Sequence, residues 1–75
     1  MGRLRVLSGA QVCAILAAHG FDEVRQRGSH IIMQRRVGSD TTTVPVPDHA
    51  EVRMGTLRAI IRQCGLPREV FETDN

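Results

Sequence analysis

The chain has 75 residues, of which ten are arginine, none is lysine, eight are acidic and two are aromatic, so its formal net charge is +2. A chain of this length forms one domain and buries about 60% of the surface that its unfolded form exposes. The longest apolar runs fall far short of the ~20 residues that cross a bilayer, and the N-terminus is too charged for a signal peptide. We therefore expect one soluble, cytoplasmic domain over residues 1–75 that makes no contact with a membrane.

The first helix is predicted over residues 9–19. Ser8 and Gln11 have the spacing of a capping box, in which each side chain satisfies a free backbone N–H. Apolar residues at helical spacing follow and define a buried stripe. Gly20 is expected to end the helix in the left-handed conformation, with Phe21 folding back onto the last turn.

Three strands are predicted next, over residues 23–27, 30–36 and 41–46. The turn signals between them, at residues 28–29 and 38–40, are short. Short connections favour antiparallel pairing, so the pattern predicts a three-stranded meander.

The last two strands carry further information. Pro45 and Pro47 cannot donate ladder hydrogen bonds, so the third strand is an edge strand or ends near them. Residues 31–33 are all apolar, and successive side chains in a strand point to opposite faces. At least one of them must therefore lie on the uncovered face. It is either a single exposed apolar residue, which is ordinary, or part of a surface for a partner or for self-association.

The second helix is indicated by one apolar face, made by Leu57, Ile60, Ile61 and Cys64. We expect Thr56 or a near neighbour to cap its start and Gly65 to end it. A short final helix is predicted over residues 67–71, and the remaining residues are expected to fray.

The order of elements is therefore α-β-β-β-α, an α+β fold in which two amphipathic helices cover one face of a three-stranded antiparallel sheet. Cys13 and Cys64 fall on the apolar stripes of the two helices and are expected to be buried and reduced. No spacing of cysteine, histidine or carboxylates indicates a metal site.

The charge is unevenly distributed along the chain. Residues 1–68 hold all ten basic residues and five acidic ones, a net charge of +5, and the acidic residues of the tail bring it down to +2. A basic body suits a phosphate backbone. The exclusive use of arginine fits bidentate phosphate binding, and it is explained equally well by a GC-rich coding bias.

Four segments together resemble the HicA toxin family. They are Ser8-Gly9 with Gly20-Phe21 around the first helix, residues 24–30 (VRQRGSH), residues 43–49 (TVPVPDH) and residues 55–66 (GTLRAIIRQCGL). Gly-Ser-His alone is a weak signal. Its occurrence after a basic strand, followed by Val-Pro-x-His and then by Gly-Thr-Leu-Arg, is specific in order and spacing. The resemblance spans about residues 8–71.

This resemblance implies a double-stranded-RNA-binding-like fold and the activity of a small endoribonuclease that cleaves mRNA without a metal or other cofactor. It also implies a cognate HicB-type antitoxin that covers the active surface, in toxin–antitoxin hetero-oligomers. By position, His30 is the family's essential histidine. The residues alone favour an ordinary strand histidine that faces water; with the resemblance, we expect His30 to be the catalytic general acid/base.

Candidate RNA-binding residues surround His30. Arg25, Arg27 and Arg35 belong to a stretch with four arginines and no acid, which suits phosphate binding. Gly28 either lets the backbone approach a phosphate or is a plain turn glycine. Ser29 either donates to phosphate or forms the turn, and the turn is the commoner role.

Other candidates lie further along the chain. His49 either assists His30 as an auxiliary group or has the structural or solvent-exposed role that is commoner for a loop histidine. Arg58 and Arg62 lie four residues apart on the second helix and, with Arg53, either clamp phosphates or form a solvated face. His19, at the end of the first helix, is expected to be structural.

Two rival functions remain at this point. One is a non-catalytic RNA-binding module of the same fold, which needs the arginines and does not need His30. The other is an interaction protein that binds another protein through its apolar strand.

Overall fold

The computed structural model describes residues 2–73. A three-stranded antiparallel sheet lies beside two helices, and a second, two-stranded sheet joins the two ends of the described chain. The elements in chain order are β1 (Arg3–Leu4), α1 (Gly9–Ala18), β2 (Asp22–Arg27), β3 (His30–Val37), β4 (Asp40–Pro47), α2 (Met54–Cys64), a 3₁₀ turn (Arg68–Phe71) and β5 (Glu72–Thr73).

The ends of α1 follow from local chemistry. The Ser8 hydroxyl accepts from the Gln11 N–H at 3.1 Å, and the Gln11 side chain accepts from the Ser8 N–H at 2.9 Å, which confirms the capping box. Gly20 has φ 92°, a conformation that side chains with a Cβ rarely adopt. The Phe21 N–H donates to the Leu16 carbonyl at 3.0 Å, so the chain folds back as expected.

The main sheet has the order β2-β3-β4, with β4 at one edge. Two-residue turns join its strands, so the meander predicted from the sequence is confirmed. Pro45 and Pro47 lie within β4, which tolerates them because it is an edge strand. The pairing of β2 with β3 shifts register between Glu23 and Arg25, a bulge that the sequence did not indicate.

Both helices cover the same face of this sheet, which confirms the predicted architecture. One buried cluster joins α1, α2 and the inner face of the sheet. The cluster consists of Leu7, Val12, Leu16, Phe21, Ile31, Met33, Val44, Val46, Val52, Leu57, Ile60, Cys64 and Phe71. Cys64 is buried as predicted, whereas Cys13 is only half-buried.

The start of α2 differs from the prediction. The helix begins at Met54, and Arg53 is its N-cap residue without a side-chain capping bond. Thr56 therefore lies inside the first turn and does not cap the helix. Gly65 ends the helix with φ 73°, as expected.

The C-terminal segment also differs from the prediction. The expected helix over residues 67–71 is a 3₁₀ turn that begins after Pro67. Glu72 and Thr73 do not fray, because they pair as β5 with β1, and the Arg5 N–H donates to the Phe71 carbonyl at 3.0 Å. The last two residues, also expected to fray, lie outside the described range. In residues 2–73 we find no helix with the length and apolarity that a bilayer crossing demands.

Candidate active site

His30 is the first residue of the central strand, directly after the Gly28-Ser29 turn. It pairs with Arg27 of β2 on one side and with Pro47 of β4 on the other. Its side chain is exposed. Side chains alternate along a strand, and Ile31 belongs to the core, so His30 projects from the face that the helices leave uncovered.

Two cavities meet at His30. The cavity between β4 and α2 has a volume of about 350 Å³, and we call it the helix-side cavity. Its lining residues are His30, Pro45, Pro47, His49, Arg53, Thr56, Ala59, Ile60 and Gln63. The cavity on the uncovered sheet face has a volume of about 570 Å³, is lined by Arg27, Gly28, His30, Ile32 and Pro45, and is called here the sheet-side cavity. His30 therefore lines both cavities.

A network of backbone hydrogen bonds ties the loop that carries His49 to the turn that carries His30. The Asp48 N–H donates to the Ser29 carbonyl at 2.6 Å, and the Gly9 N–H donates to the His49 carbonyl at 2.9 Å. Further along, the Val52 N–H donates to the Leu7 carbonyl at 2.7 Å. These bonds fix His49 beside the first strand residue of β3, although it lies 19 positions away in sequence.

Gly9 is required for this arrangement. A Cβ atom at this position would overlap the Pro47 carbonyl oxygen and lie 3.1 Å from the Asp48 Cα atom. The start of α1 and the end of β4 thus approach each other more closely than any side chain permits. The family-like Ser-Gly at the start of the first helix therefore has a packing role next to the site.

Two of the predicted RNA-binding arginines lie on the same face as His30. Arg27 is directly opposite His30, and Arg25 is directly opposite Ile32, across the β2–β3 pairing. Both are exposed. Gly28 has φ 57°, so its conformation is that of a left-handed turn residue. Ser29 supplies its carbonyl to the loop, as a turn residue would.

Arg35 lies apart from this group. Along β3, Arg35 lies two residues after Met33 and four after Ile31, so its side chain points to the same, helix-covered face of the sheet. Its guanidinium donates to the His19 carbonyl at 3.3 Å, at the C-terminal end of α1. The contacts of Arg35 are therefore contacts within the fold.

The arginines at the start of α2 and within it divide into two groups. Arg53 lines the helix-side cavity with His30 and His49. Arg58 and Arg62 instead line a separate, smaller cavity of about 170 Å³, together with Ile61 and Arg68. The three arginines therefore line two separate cavities, and their binding of phosphate stays a prediction.

The remaining histidine, His19, is the C-cap residue of α1 and its Nδ1 atom lies 2.9 Å from the Ile15 carbonyl oxygen. It lines neither of the cavities at His30. Its position agrees with the structural role expected from the sequence.

Thr56 and Gln63 line the helix-side cavity, and the sequence analysis did not single out either of them as a site residue. They lie seven residues apart, on the turns of α2 that also bring Ala59 and Ile60 to the cavity wall. This spacing was the available signal, because it places two polar side chains beside the buried stripe.

Ile32 lies on the uncovered face, as alternation requires, but only 7% of it is exposed. Its direct cross-strand neighbours are Arg25 and Pro45. The apolar run of β3 therefore offers no exposed patch, and the interaction hypothesis loses the feature on which it rested.

Within residues 2–73, no group of three or more histidine, cysteine or acidic side chains is arranged to hold a metal ion. The ionisable groups that line the two cavities at His30 are imidazoles and guanidiniums. Such groups transfer protons and bind phosphate oxygens.

A search of curated proteins gives no significant match. A family model, described as the HicA toxin of bacterial toxin–antitoxin systems, matches residues 9–66. The match runs from Gly9 to Leu66 and includes the His30 turn, the His49 loop and all of α2. The chain belongs to the HicA toxin family.

Proposed function

We propose that this protein is the toxin of a type II toxin–antitoxin system and acts in the cytoplasm as a metal-independent endoribonuclease that cleaves mRNA. The observation that carries the proposal is the position of His30. Its exposed imidazole stands where two cavities meet, with Arg27 on one side and Arg53 on the other. A phosphodiester placed there has a proton-transfer group and two cations within one site.

The chemistry follows from the substrate. RNA carries its own nucleophile, the 2′-hydroxyl, so cleavage needs a group that removes its proton or protonates the leaving 5′-oxygen. Imidazole exchanges a proton near neutral pH, and general acid–base catalysis contributes about 10²–10⁴-fold to a rate. Guanidinium groups stabilise the negative charge that builds on the phosphoryl oxygens.

Recognition of the RNA rests on phosphates and hydrogen bonds. The two aromatic side chains, Phe21 and Phe71, are both buried in the core. The site therefore offers no phenylalanine, tyrosine or tryptophan ring on which bases could stack. Arg25 and Arg27 contact phosphates on the sheet face, where Gly28 allows close approach and Ser29 shapes the turn.

Arg58 and Arg62 supply a second phosphate-binding surface on α2. Their cavity is distinct from the helix-side cavity, so a strand that reaches both surfaces extends over several nucleotides. Binding by Arg58 and Arg62 contributes to affinity, whereas Arg53 acts at the bond that breaks.

Membership of the HicA family makes the protein one half of a toxin–antitoxin pair. We infer that the partner is a cognate HicB-type antitoxin that covers the His30 face, in a toxin–antitoxin hetero-oligomer. Because His30, Arg25 and Arg27 are all exposed in the isolated chain, a covering partner would exclude RNA from the site directly.

The test is cleavage of a defined RNA in EDTA by the intact protein and by His30→Ala, with RNA affinity and folding measured in parallel. We expect cleavage by the intact protein and none by a folded variant that still binds RNA. Binding by both proteins with cleavage by neither would favour the non-catalytic RNA-binding module. If neither protein bound RNA, the function in RNA recognition would be refuted altogether.

A further inference from the structure

A second histidine shares the helix-side cavity with His30. His49 and Arg53 line this cavity from the loop between β4 and α2, while His30 lines it from β3. The cavity of about 350 Å³ lies within the range of about 300–1,000 Å³ that is usual for small-ligand sites. Two imidazoles and one guanidinium thus converge on a space that can hold part of a nucleotide.

We propose that His49 is the second proton-transfer group of the site and that Arg53 holds the phosphate between the two histidines. The inference rests on the proposed ribonuclease function and deepens it. It assigns His49 a role in the reaction itself, beyond the unspecified auxiliary role that the sequence left open.

The backbone fixes the position of His49 relative to His30. His30 pairs directly with Pro47, two residues before His49. The Asp48 N–H is bound to the Ser29 carbonyl, one residue before His30, and the His49 carbonyl is bound to the Gly9 N–H. A loop held at both of these points keeps the backbone at His49 in one place, and this limits the positions that its imidazole can reach beside the cavity.

The reaction has two proton transfers, and a separate imidazole can serve each of them. A neutral imidazole removes the 2′-hydroxyl proton as the 2′-oxygen forms a bond to phosphorus. As the bond from phosphorus to the 5′-oxygen breaks, a protonated imidazole gives its proton to that oxygen. The products are a 2′,3′-cyclic phosphate and a 5′-hydroxyl, and no water, metal or redox partner is consumed. One histidine cannot occupy both protonation states at once, so a pair in one cavity suits the chemistry.

Arg53 has the right position for the phosphate. It immediately precedes α2, so its guanidinium adds to the partial positive charge of the helix N-terminus. Arg27 on β2 lines the sheet-side cavity with His30, and the acidic residues Asp48 and Glu51 lie close to His49 in sequence, in the same loop. A phosphate bound at Arg53 is therefore held at the rim where the loop, α2 and β3 meet.

The experiment compares His49→Asn with His19→Asn in single-turnover cleavage of one RNA in EDTA. The His49 substitution keeps the backbone carbonyl that binds Gly9, so the loop anchor survives. The His19 substitution is the matched control, because His19 is also an exposed histidine but lines neither cavity at His30. We expect the His49 variant to lose about 10²–10⁴-fold in rate constant and the His19 variant to keep the parent rate.

The pH dependence distinguishes proton transfer from a merely structural role. The parent should show a bell-shaped profile, because one imidazole must be neutral and the other protonated. Substitution of His49 should remove one limb, and substitution of His30 should remove the other. A substrate whose leaving 5′-oxygen is replaced by sulfur should restore cleavage to only one of the two variants, the one that lacks the acid.

Three results would overturn the inference. A His49 variant that cleaves at the parent rate would do so, as would a slower variant that keeps both limbs of the profile. The inference would also be contradicted if the sulfur substrate restored cleavage to both the His49 and the His30 variant, or to neither of them. In all three cases the parent cleaves and His30 is still required, so the proposed function stands. If the parent itself does not cleave RNA, the proposed function fails and this inference fails with it.

Discussion

The guanidinium of Arg35 lies 4.9 Å from the centre of the Phe21 ring and donates to the carbonyl of His19. One side chain of β3 thereby covers a core aromatic and satisfies the C-terminal end of α1. Helix C-termini carry a partial negative charge, and α1 has no basic residue in its own last turn. The sheet supplies the cation that the helix lacks.

Arg35→Ala should therefore destabilise the fold. A cation–π contact contributes about 0.5–1 kcal/mol, and the bond to the His19 carbonyl adds to it. Part of this stabilisation is offset by a desolvation cost, because the Arg35 Nε atom is buried with no hydrogen-bond partner among the described residues. We expect a net loss of about 1–2 kcal/mol in the free energy of unfolding, measured by urea denaturation. Arg36→Ala, at an exposed position of the same strand, should change it by less than about 0.5 kcal/mol. Equal losses in the two variants would contradict the assignment.

Gly9 and Gly55 offer a matched pair of glycine substitutions. Gly9→Ala forces a methyl group against Pro47 and Asp48, so it should cost about 1–3 kcal/mol of stability and displace the His49 loop. Gly55 lies inside α2 with open space around its Cα atom, so Gly55→Ala should stabilise the protein by about 0.5–1 kcal/mol. Thermal unfolding measures both changes. A Gly9 variant as stable as the parent would show that the close approach is not needed.

The two groups of arginines on α2 should separate in binding experiments. Replacing Arg58 and Arg62 together with alanine should weaken RNA binding and flatten the dependence of log affinity on log salt by about 1.4, if each contacts one phosphate of a single strand. The cleavage rate constant at saturating protein should be unchanged. Arg53→Ala should instead lower that rate constant, while flattening the salt slope by only about 0.7, the share of one phosphate contact. The reverse pattern would show that Arg53 contributes to binding and that Arg58 and Arg62 act at the bond that breaks, contrary to the proposal.

The Cys13 thiol provides a test that depends on pH. Burial, followed by the nearby carboxylates of Glu23 and Asp48, raises the pKa of the Cys13 thiol. Its alkylation by iodoacetamide at mildly alkaline pH should be slower in the folded protein than in urea, as measured by peptide mass spectrometry. The pKa of this thiol is higher in the folded state than in the unfolded state. The folded protein therefore gains stability from the protonated thiol below the ordinary thiol pKa, and it loses this contribution as the pH rises through the raised pKa. In Cys13→Ala this alkaline loss should be smaller; an identical loss would refute the assignment.

Much of the site geometry can be derived from the sequence by counting residue pairs along the hairpin of β3 and β4. A two-residue turn at Gly38-Ser39 pairs Val37 with Asp40, and counting back along the hairpin pairs His30 with Pro47, as the structure shows. The same counting brings His49 close to His30. Alternation from Ile31 likewise assigns Arg35 to the core face, so its distance from the other RNA-binding candidates was predictable in principle.

Other features depend on contacts that no local pattern encodes. The two-residue strands β1 and β5 exist because the chain ends meet after folding, and two residues are too few to show a periodic pattern. The bulge in β2 has no glycine or proline to mark it. The helix-side cavity depends on how α2 packs beside the edge strand, which is a tertiary property. That packing brings Thr56 and Gln63 to the cavity wall, and their spacing along α2 alone did not identify the cavity.

The most direct test of the central claim is the single-turnover rate constant for RNA cleavage in EDTA by His30→Ala, measured beside its RNA affinity and unfolding temperature. We expect a loss of about 10²-fold or more in the rate constant, with affinity and unfolding temperature close to those of the parent. A folded variant that cleaves RNA as fast as the parent would contradict the assignment of His30 as the catalytic group.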